Sequence, residues 1–222
     1  MGAQAALALL FIGNSLSAAN DLPSMLEAMG KASGVSIRCA IVAKPNFSLE
    51  DHWNDPERDA RRAIARGGWT RVIMQQGPSA LPSSRVLLHE YVKRFDGEIR
   101  RARAKPAMLT VWPAASRRGD FDGVVESYRS AAILIDGDLF AAGAAWRAAW
   151  ARDPALPLYG PDGFHPSRLG SYLAALVVFH GLTGRLPDSA TADGITPRDA
   201  EICRAAVLDV AAAGRHLKRY GF

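Results

Sequence analysis

The sequence predicts an α/β fold, a three-layer α/β/α sandwich around a parallel sheet of about five strands. Two observations lead to this fold class. The first is a set of short apolar runs of strand length, and the second is that the longer stretches between them have apolar residues at helical spacing. Strands separated by helices in this way are typical of a parallel sheet covered by helices on both faces. The length of 222 residues fits one domain spanning residues 1–222.

The strands are predicted from apolar or alternating segments bounded by turn residues. They cover residues 6–12, 35–42, 71–75, 107–112 and 138–142. The helices are predicted from apolar spacing together with proline and polar residues near their first turns and glycine near their ends. They cover residues 22–33, 56–66, 83–104, 121–135, 144–152, 166–179 and a terminal helix that begins at Thr196-Pro197.

For two of these helices, the pattern also predicts which residues are buried. Helix 83–104 is expected to place Val86, Tyr91, Phe95 and Ile99 in the core. Helix 166–179 is apolar nearly all round, which predicts that it is buried. In such a sheet, ligands bind at the carboxyl ends of the strands, so the loops that follow the strands are expected to carry the chemistry.

Composition and charge exclude several classes of function. The net charge is +5, but the arginines are scattered and no aromatic residues interleave with them, so no nucleic-acid partner is predicted. The apolar run 6–12 has seven residues, whereas a membrane span needs about 20, so no membrane span is predicted. Cys39 and Cys203 are read as free buried thiols, with a disulfide left open, and no Cys/His cluster suggests a metal.

The compartment stays open. The tripeptide Ala3-Gln4-Ala5 resembles the end of an export-signal cleavage site, but no basic segment precedes the apolar run. A periplasmic or secreted protein whose export signal has been trimmed and a cytoplasmic protein are both compatible with this pattern. The oligomeric state is likewise not predicted.

The first loop with candidate chemistry follows the first strand and reads Gly13-Asn14-Ser15-Leu16. A serine directly after a buried strand, with a glycine two residues earlier, is well placed to act as a nucleophile, because glycine permits a tight turn. The alternative is a polar turn that only ends the strand.

The second loop runs from Tyr159 to Ser167 and contains Asp162 and His165, three residues apart. A carboxylate at this spacing can hold one ring nitrogen of the histidine and leave the other free as a general base. The alternative is an aspartate that caps a turn and a histidine that packs on it.

Together the two loops resemble the SGNH (GDSL-like) hydrolase superfamily, over roughly residues 7 to 184. Gly13-Asn14-Ser15-Leu16 is similar to that family's Gly-Asp-Ser-Leu block, and Asp162-Gly163-Phe164-His165 to its Asp-x-x-His block. Asn for Asp is a variant of the branch that this chain resembles, and it has no catalytic role there. The resemblance implies a flavodoxin-like fold and a serine esterase with Ser15, Asp162 and His165 as its catalytic triad, without a metal or an organic cofactor.

The resemblance is incomplete at the oxyanion hole. The family takes one backbone donor from a glycine after the second strand and one side-chain donor from an Asn after the third. After the second strand, this chain has Pro45-Asn46. Pro45 has no N–H and cannot donate, so the N–H of Asn46 is the candidate donor. Asn also tolerates a left-handed backbone better than most residues. After the third strand, Gln75-Gln76-Gly77-Pro78-Ser79 resembles the Gln-Gly-Glu-type block of carbohydrate acetylesterases.

This block leaves two alignments open. Gln76 is favoured as the side-chain donor, because an amide offers two N–H groups, while a different alignment places Ser79 there. Gln75 is interpreted as a strand-end residue that satisfies backbone groups. The expected oxyanion hole thus consists of the N–H of Ser15, the N–H of Asn46 and the amide of Gln76.

The other histidines and tryptophans are assigned structural roles. His52 and Trp53 are expected on a short helix, as a packed pair that supports the site loop, with lining of the site as the alternative. His89, His180 and His216 have no partner pattern. Core packing is preferred over a sugar-stacking platform for three tryptophans, namely Trp112, Trp146 and Trp150.

The expected partner is a small-molecule or carbohydrate ester, with short acyl groups such as O-acetyl favoured by the resemblance. A lysophospholipase- or thioesterase-type acyl hydrolase remains open, although no long apolar lid segment is evident. A catalytically inactive glycan-binding relative is the alternative from another class, because two oxyanion blocks are altered. A flavodoxin-like phosphate binder would need a glycine-rich loop, which Gly13 alone does not provide.

Overall fold

A computed structural model describes residues 6–188 and 194–219, with side chains described up to residue 214. The Ala3-Gln4-Ala5 tripeptide and the side chain of His216 lie outside the described residues. The strands are β1 (Leu7–Gly13), β2 (Ile37–Ala43), β3 (Arg71–Met74), β4 (Lys105–Leu109) and β5 (Asp138–Phe140). All pairings are parallel and the order is β2-β1-β3-β4-β5, which confirms the predicted five-stranded parallel sheet.

The helices alternate with these strands along the chain. They are α1 (Ser15–Ala18), α2 (Leu22–Ala32), α3 (Leu49–Asn54), α4 (Asp59–Ala65), α5 (Pro82–Arg101), α6 (Phe121–Leu134), α7 (Ala142–Arg152), α8 (Arg168–Thr183) and α9 (Pro197–Arg219). Two short 3-10 turns, Ala19–Asp21 and Ala115–Asp120, join α1 to α2 and precede α6. Among the described residues, no helix is both long enough and apolar enough to cross a membrane.

The layers follow from the alternation of side chains along the central strand. Leu9 and Phe11 of β1 point into a core shared with α2, α7, α8 and α9. Leu10 and Ile12 point into a second core shared with α3, α4, α5 and α6. Because both faces of the sheet are covered, the strands read as continuous apolar runs, as the predicted α/β/α sandwich requires.

Two expectations about single elements were wrong. Strand β4 begins two residues earlier than predicted, at Lys105, and includes Pro106, which pairs with Val72 of β3. Pro106 is tolerated because the pairing of β4 with β5 starts only at the next residue, Ala107. Val86 is 66% exposed, since it lies on the outer face of α5, whose core stripe starts at Leu88.

The expectations for other segments hold, except for the burial of one thiol. Every residue of α8 from Leu169 to Phe179 is buried. Cys39 on β2 and Cys203 on α9 are free thiols, as expected, but only Cys203 is buried, while Cys39 is half-buried at the edge of the same core. Burial is the main cause that raises the pKa of each thiol, to about 12.

The sheet order determines where a ligand can bind. The chain leaves β1 toward β2 on one side and continues through β3 on the other, so the order reverses between β1 and β3. In open parallel sheets the crevice at the carboxyl ends of the strands at such a reversal is the ligand-binding position. The loops after Gly13 and Met74 therefore meet at the place where the fold puts chemistry.

Candidate active site

Ser15, His165 and Asp162 form a continuous chain of hydrogen bonds at this edge of the sheet. The Nε2 atom of His165 lies 2.9 Å from the Oγ of Ser15, and its Nδ1 lies 2.6 Å from Oδ2 of Asp162. An ionised carboxylate can only accept, so Nδ1 carries the proton and the lone pair of Nε2 faces the serine hydroxyl. The three side chains predicted from two distant motifs are thus brought together in the order that a nucleophile, a base and an orienting carboxylate require.

The Asp162–His165 loop is shaped by one residue with a left-handed backbone. Gly163 has a φ of 67°, a conformation that glycine adopts without strain. The chain then turns back so that Oδ1 of Asp162 accepts the N–H groups of Phe164 and His165, each at 3.0 Å. The hydrogen bond from His165 is the main cause, with these N–H groups, that lowers the pKa of Asp162 to about 2. Asp162 is therefore ionised at neutral pH.

Several contacts attach this loop to its neighbours. The N–H of Ala115 donates to the carbonyl of Gly163, and the indole N–H of Trp112 donates to the carbonyl of Phe164. On the side of the nucleophile, Nδ2 of Asn20 donates to the carbonyl of Pro166 at 3.0 Å and to Oγ of Ser171 at 2.9 Å. Asn20 has a left-handed φ of 55°, so this link is formed by a residue held in an uncommon backbone conformation.

The turn that carries Ser15 leaves no room for a side chain at position 13 unless Gln75 and Ser17 move. A Cβ on Gly13 would lie 2.5 Å from both Oε1 of Gln75 and Oγ of Ser17. Ser15 is the first residue of α1, so its N–H has no acceptor within the helix. This N–H is free to point at an oxyanion next to the nucleophile.

Asn46 lies in a tight turn after β2. Its φ is 61°, and the N–H of Phe47 donates to the carbonyl of Lys44 at 3.2 Å. Proline at the second position and a left-handed residue at the third are typical of a type II turn. Asn14 holds this turn beside the nucleophile, because its Nδ2 donates to the carbonyl of Phe47 at 3.0 Å.

Gln76 is buried, and the direction of its amide is fixed by its partners. Its Oε1 accepts the N–H of Leu49 at 3.3 Å, so the amide NH₂ group points elsewhere. Among the described residues, this NH₂ group donates to no protein acceptor, and it does not belong to the buried unpartnered atoms. It is thus available to a ligand. Ser79, the other candidate, has its Oγ engaged by the N–H of Leu81 before α5.

Sequence reasoning missed Tyr128, which holds the backbone of Gln76, and one of the contacts of Gln75. The hydroxyl of the buried Tyr128 accepts the N–H of Gln76 at 2.9 Å and donates to its carbonyl. Burial raises the pKa of Tyr128, so this hydroxyl keeps its proton. Gln75 was expected to satisfy backbone groups, which it does, but it also bonds to the side chain of Asn14.

His52 and the tryptophans support the loops. His52 is fully buried on α3, and its Nε2 donates to the carbonyl of Gly13 at 2.7 Å. Burial is the main cause that lowers the pKa of His52, so it stays neutral. Trp53 packs edge-on against Phe95, not against His52. Trp112 and Trp146 are buried and stacked 3.7 Å apart, in agreement with core packing.

One acidic cluster among the described residues has the spacing of a metal site. The carboxylate oxygens of Asp55, Glu57 and Asp59 lie within 4.8 Å of one another. The ammonium of Lys44 lies 2.8, 3.2 and 3.3 Å from these three side chains and neutralises part of their charge. A protein cation thus occupies the position that a metal ion would take, and the cluster is read as an ion-pair network.

Comparison with known proteins places this fold in a structural class. No protein-family model and no curated protein matches the chain. A solved structure from Slackia heliotrinireducens, provisionally described as an SGNH hydrolase, is 27% identical and covers 80% of this chain and 100% of its own, with a TM-score of 0.68. A DUF4886 family protein from Bacteroides uniformis is 19% identical over 94% of this chain and 95% of its own, with a TM-score of 0.77.

A third solved structure is a variant of an acetyl-xylooligosaccharide esterase from Geobacillus. It is 14% identical and covers 85% of this chain and 100% of its own, with a TM-score of 0.63. At such low identity this likeness concerns the fold. The chain therefore has the fold of SGNH/GDSL-like hydrolases, which confirms the resemblance on which the prediction of an ester-bond hydrolase rests.

Proposed function

We propose that this chain is a serine esterase that hydrolyses short-chain acyl esters, including O-acetyl groups on carbohydrates, with Ser15, His165 and Asp162 as its catalytic triad. The observation that carries the proposal is the pair of contacts made by one imidazole, 2.9 Å to the Ser15 hydroxyl and 2.6 Å to the Asp162 carboxylate. We further infer that residues 1–222 form one catalytic domain.

The first half of the reaction forms an acyl-enzyme. Nε2 of His165 takes the proton of the Ser15 hydroxyl while Oγ of Ser15 forms a bond to the acyl carbon. The π electrons of the carbonyl bond move to its oxygen, which gives a first tetrahedral intermediate with a negative oxygen. Asp162, ionised because its pKa is about 2, stabilises the imidazolium that results. His165 then donates that proton to the alcohol oxygen of the substrate, and the bond between this oxygen and the acyl carbon breaks.

The second half repeats these steps with water. His165 takes a proton from water, whose oxygen attacks the acyl carbon bound to Ser15. This attack gives a second tetrahedral intermediate. His165 then returns the proton to Oγ of Ser15, the bond between Oγ and the acyl carbon breaks, and the carboxylic acid is released. The bonds that form and break in these steps belong to the substrate, water, Ser15 and His165.

Three donors are proposed for the negative oxygen of the two intermediates. They are the N–H of Ser15, which has no helical acceptor, the N–H of Asn46 and the amide NH₂ of Gln76. Two of them replace donors that the family takes from glycine and asparagine. Each donor of this kind accounts for about 10²–10³ in rate. Because the altered blocks still supply donors, their substitutions do not by themselves imply an inactive protein.

The exposure of the site favours a small acyl group on a larger alcohol. The side chains of His165 and Asp162 are 43% and 51% exposed, so a bulky alcohol can approach them from solvent. A cavity of about 320 Å³ is lined by Glu27, Lys31 and residues 34–37, at the amino end of β2 and away from the serine. The acetyl-xylooligosaccharide esterase has the same fold and, by its name, acts on such a substrate.

Hydrolysis of p-nitrophenyl acetate by the wild type and by Ser15→Ala tests the proposal. We expect measurable turnover by the wild type and a loss of about 10³-fold or more in kcat for the variant, because the nucleophile is removed. Equal, slow hydrolysis by both proteins would contradict the esterase and favour a glycan-binding protein, which binding of acetylated xylo-oligosaccharides to the same two proteins would then measure.

The acyl chain length separates the proposal from a lipase- or thioesterase-type hydrolase. We expect kcat/KM to fall from p-nitrophenyl acetate through butyrate to octanoate, because a site whose His165 and Asp162 side chains are 43% and 51% exposed leaves a long acyl chain in contact with water. A preference for octanoate or for a fatty acyl thioester would replace the proposed substrate class and leave the serine mechanism unchanged.

A further inference from the structure

We propose that Asn14 and Gln75 form an amide brace, a buried pair of side-chain amides that positions all three oxyanion donors relative to one another. The inference rests on the proposed function, because it assigns these residues a role in the geometry of that site. Neither side chain reaches the substrate in this proposal, so both are positioning residues. They are 4% and 1% exposed, respectively.

Asn14 links the nucleophile to the turn that carries Asn46. Its Oδ1 accepts the N–H of Leu16 at 3.0 Å, which caps the helix that begins at Ser15. Its Nδ2 donates to the carbonyl of Phe47 at 3.0 Å, in the residue after Asn46. One amide group therefore sets the position of the Ser15 peptide against the Asn46 turn.

Gln75 links the nucleophile to Gln76. Its Oε1 accepts the backbone N–H of Asn14 at 3.0 Å, and its Nε2 donates to Oδ1 of Asn14 at 3.0 Å. The same Nε2 donates to the carbonyl of Gln76 at 2.6 Å, and that carbonyl also accepts the hydroxyl of Tyr128. The two amides thus connect the loops after β1, β2 and β3 by hydrogen bonds that are buried except for the partly buried bond to Phe47.

The brace needs amides and not carboxylates at both positions. Each side chain donates with its nitrogen and accepts with its oxygen, and the carbonyls of Phe47 and Gln76 can only accept. An aspartate at position 14 would set an unprotonated oxygen against the carbonyl of Phe47 and bury a charge without a cation. This explains why the usual Gly-Asp-Ser-Leu block reads Gly13-Asn14-Ser15-Leu16 here.

Asn14→Asp tests the brace by restoring the residue usual in the family. We expect kcat on p-nitrophenyl acetate to fall about tenfold to hundredfold with KM changed less than about twofold, because misplaced oxyanion donors affect the transition state more than the bound substrate. Gln75→Glu should behave in the same way. Asn54→Asp makes the same chemical change at the exposed end of α3 and should leave kcat unchanged.

Asn14→Ser provides a variant without a buried charge. Serine can still cap α1 by accepting the N–H of Leu16 but cannot reach Phe47, so the brace predicts the same kcat loss in a protein that is folded by circular dichroism. In a Gln76→Ala background, the effect of Asn14→Ser should shrink at least threefold, because one donor that the brace positions is gone.

Two results would overturn the brace. One is an Asn14→Ser protein that is folded and as fast as the wild type, and the other is an equal kcat loss with and without Gln76, which a general loss of stability would produce. Failure of the proposed function is read from a different pair of proteins, since it requires that the wild type be no faster than Ser15→Ala.

Discussion

The two sides of the candidate site are built in opposite ways. The base side, residues 162–165, presents His165 and Asp162 with side chains 43% and 51% exposed. The oxyanion side places Asn14, Gln75 and Gln76 at 4%, 1% and 8% exposed. The first is a short loop whose backbone N–H groups donate to the side chain of Asp162, and the second is a buried network that joins the ends of separate strands.

This difference means that a substitution on the base side can lower kcat with little effect on the free energy of unfolding. On the oxyanion side, a substitution is expected to lower both. An exposed side chain that leaves no buried partner behind can be removed with little effect on folding. A buried amide that holds backbone groups leaves those groups unsatisfied when it is removed, so its loss lowers stability together with activity. Variants on the two sides should therefore give different patterns of kcat and unfolding free energy.

Replacement of the base should give the largest effect on rate and almost none on stability. We expect His165→Ala to lower kcat about 10³-fold or more, because no group then takes the proton from Ser15. The free energy of unfolding, from urea denaturation, should change by less than about 0.5 kcal/mol because the side chain is half-exposed. His89→Ala, which loses a hydrogen bond to Ser130, is the control with unchanged kcat.

Replacement of the oxyanion amide should change both quantities. We expect Gln76→Ala to lower kcat about 10²–10³-fold and the unfolding free energy by about 1–3 kcal/mol, since the N–H of Leu49 loses its acceptor. Ser79→Ala should leave kcat within about twofold of the wild type. If Ser79→Ala were the slow variant, the alternative alignment of this block would be correct.

The link between the two sides gives an intermediate effect. Asn20→Gly removes the hydrogen bonds to Pro166 and Ser171 without backbone strain, and we expect a loss in kcat of about three- to tenfold as the base loop loosens. Asn20→Ala should match it in rate but be less stable by about 1–2 kcal/mol, because alanine is strained at a φ of 55°. Equal stability of the two variants would show that the left-handed backbone relaxes.

The smallest effect concerns the pH dependence of stability. The pKa of Asp162 is lowered to about 2 in the folded protein, against about 3.9 in an unfolded chain. Its contribution is therefore complete above about pH 4 and is lost as the pH falls toward 2. Melting temperatures from pH 6 to 2 should fall more steeply for the wild type than for Asp162→Asn. Parallel curves would contradict the lowered pKa.

The base side could be predicted from the sequence because its information is local. Asp162 and His165 are three residues apart, and glycine between them permits the turn that the structure has at φ 67°. The left-handed turn at Asn46 was predictable for the same reason, from proline followed by asparagine. The approach of Ser15 to His165 was expected from the resemblance of the two motifs to one family, since the loop of His165 lies between α7 and α8 and does not follow a strand.

The network on the oxyanion side consists of contacts between residues far apart in the sequence, which no local pattern predicts. Gln75 meets Asn14 because Met74 pairs with Ile12 in the sheet, a register between strands about 60 residues apart. Tyr128 reaches Gln76 because α6 packs against β4, which brings the hydroxyl oxygen of Tyr128 to 2.9 Å from the backbone nitrogen of Gln76. The exposed position of Val86 likewise depends on the rotation of α5, which its apolar spacing alone left ambiguous.

Labelling with a serine-directed phosphonate ester tests most directly whether His165 activates Ser15. We predict that mass spectrometry of the digested wild type finds the label on the peptide that contains Ser15, and that His165→Ala reacts at least 100-fold more slowly, since its serine lacks the base. A label on any other residue, or equal labelling of the two proteins, would contradict the account.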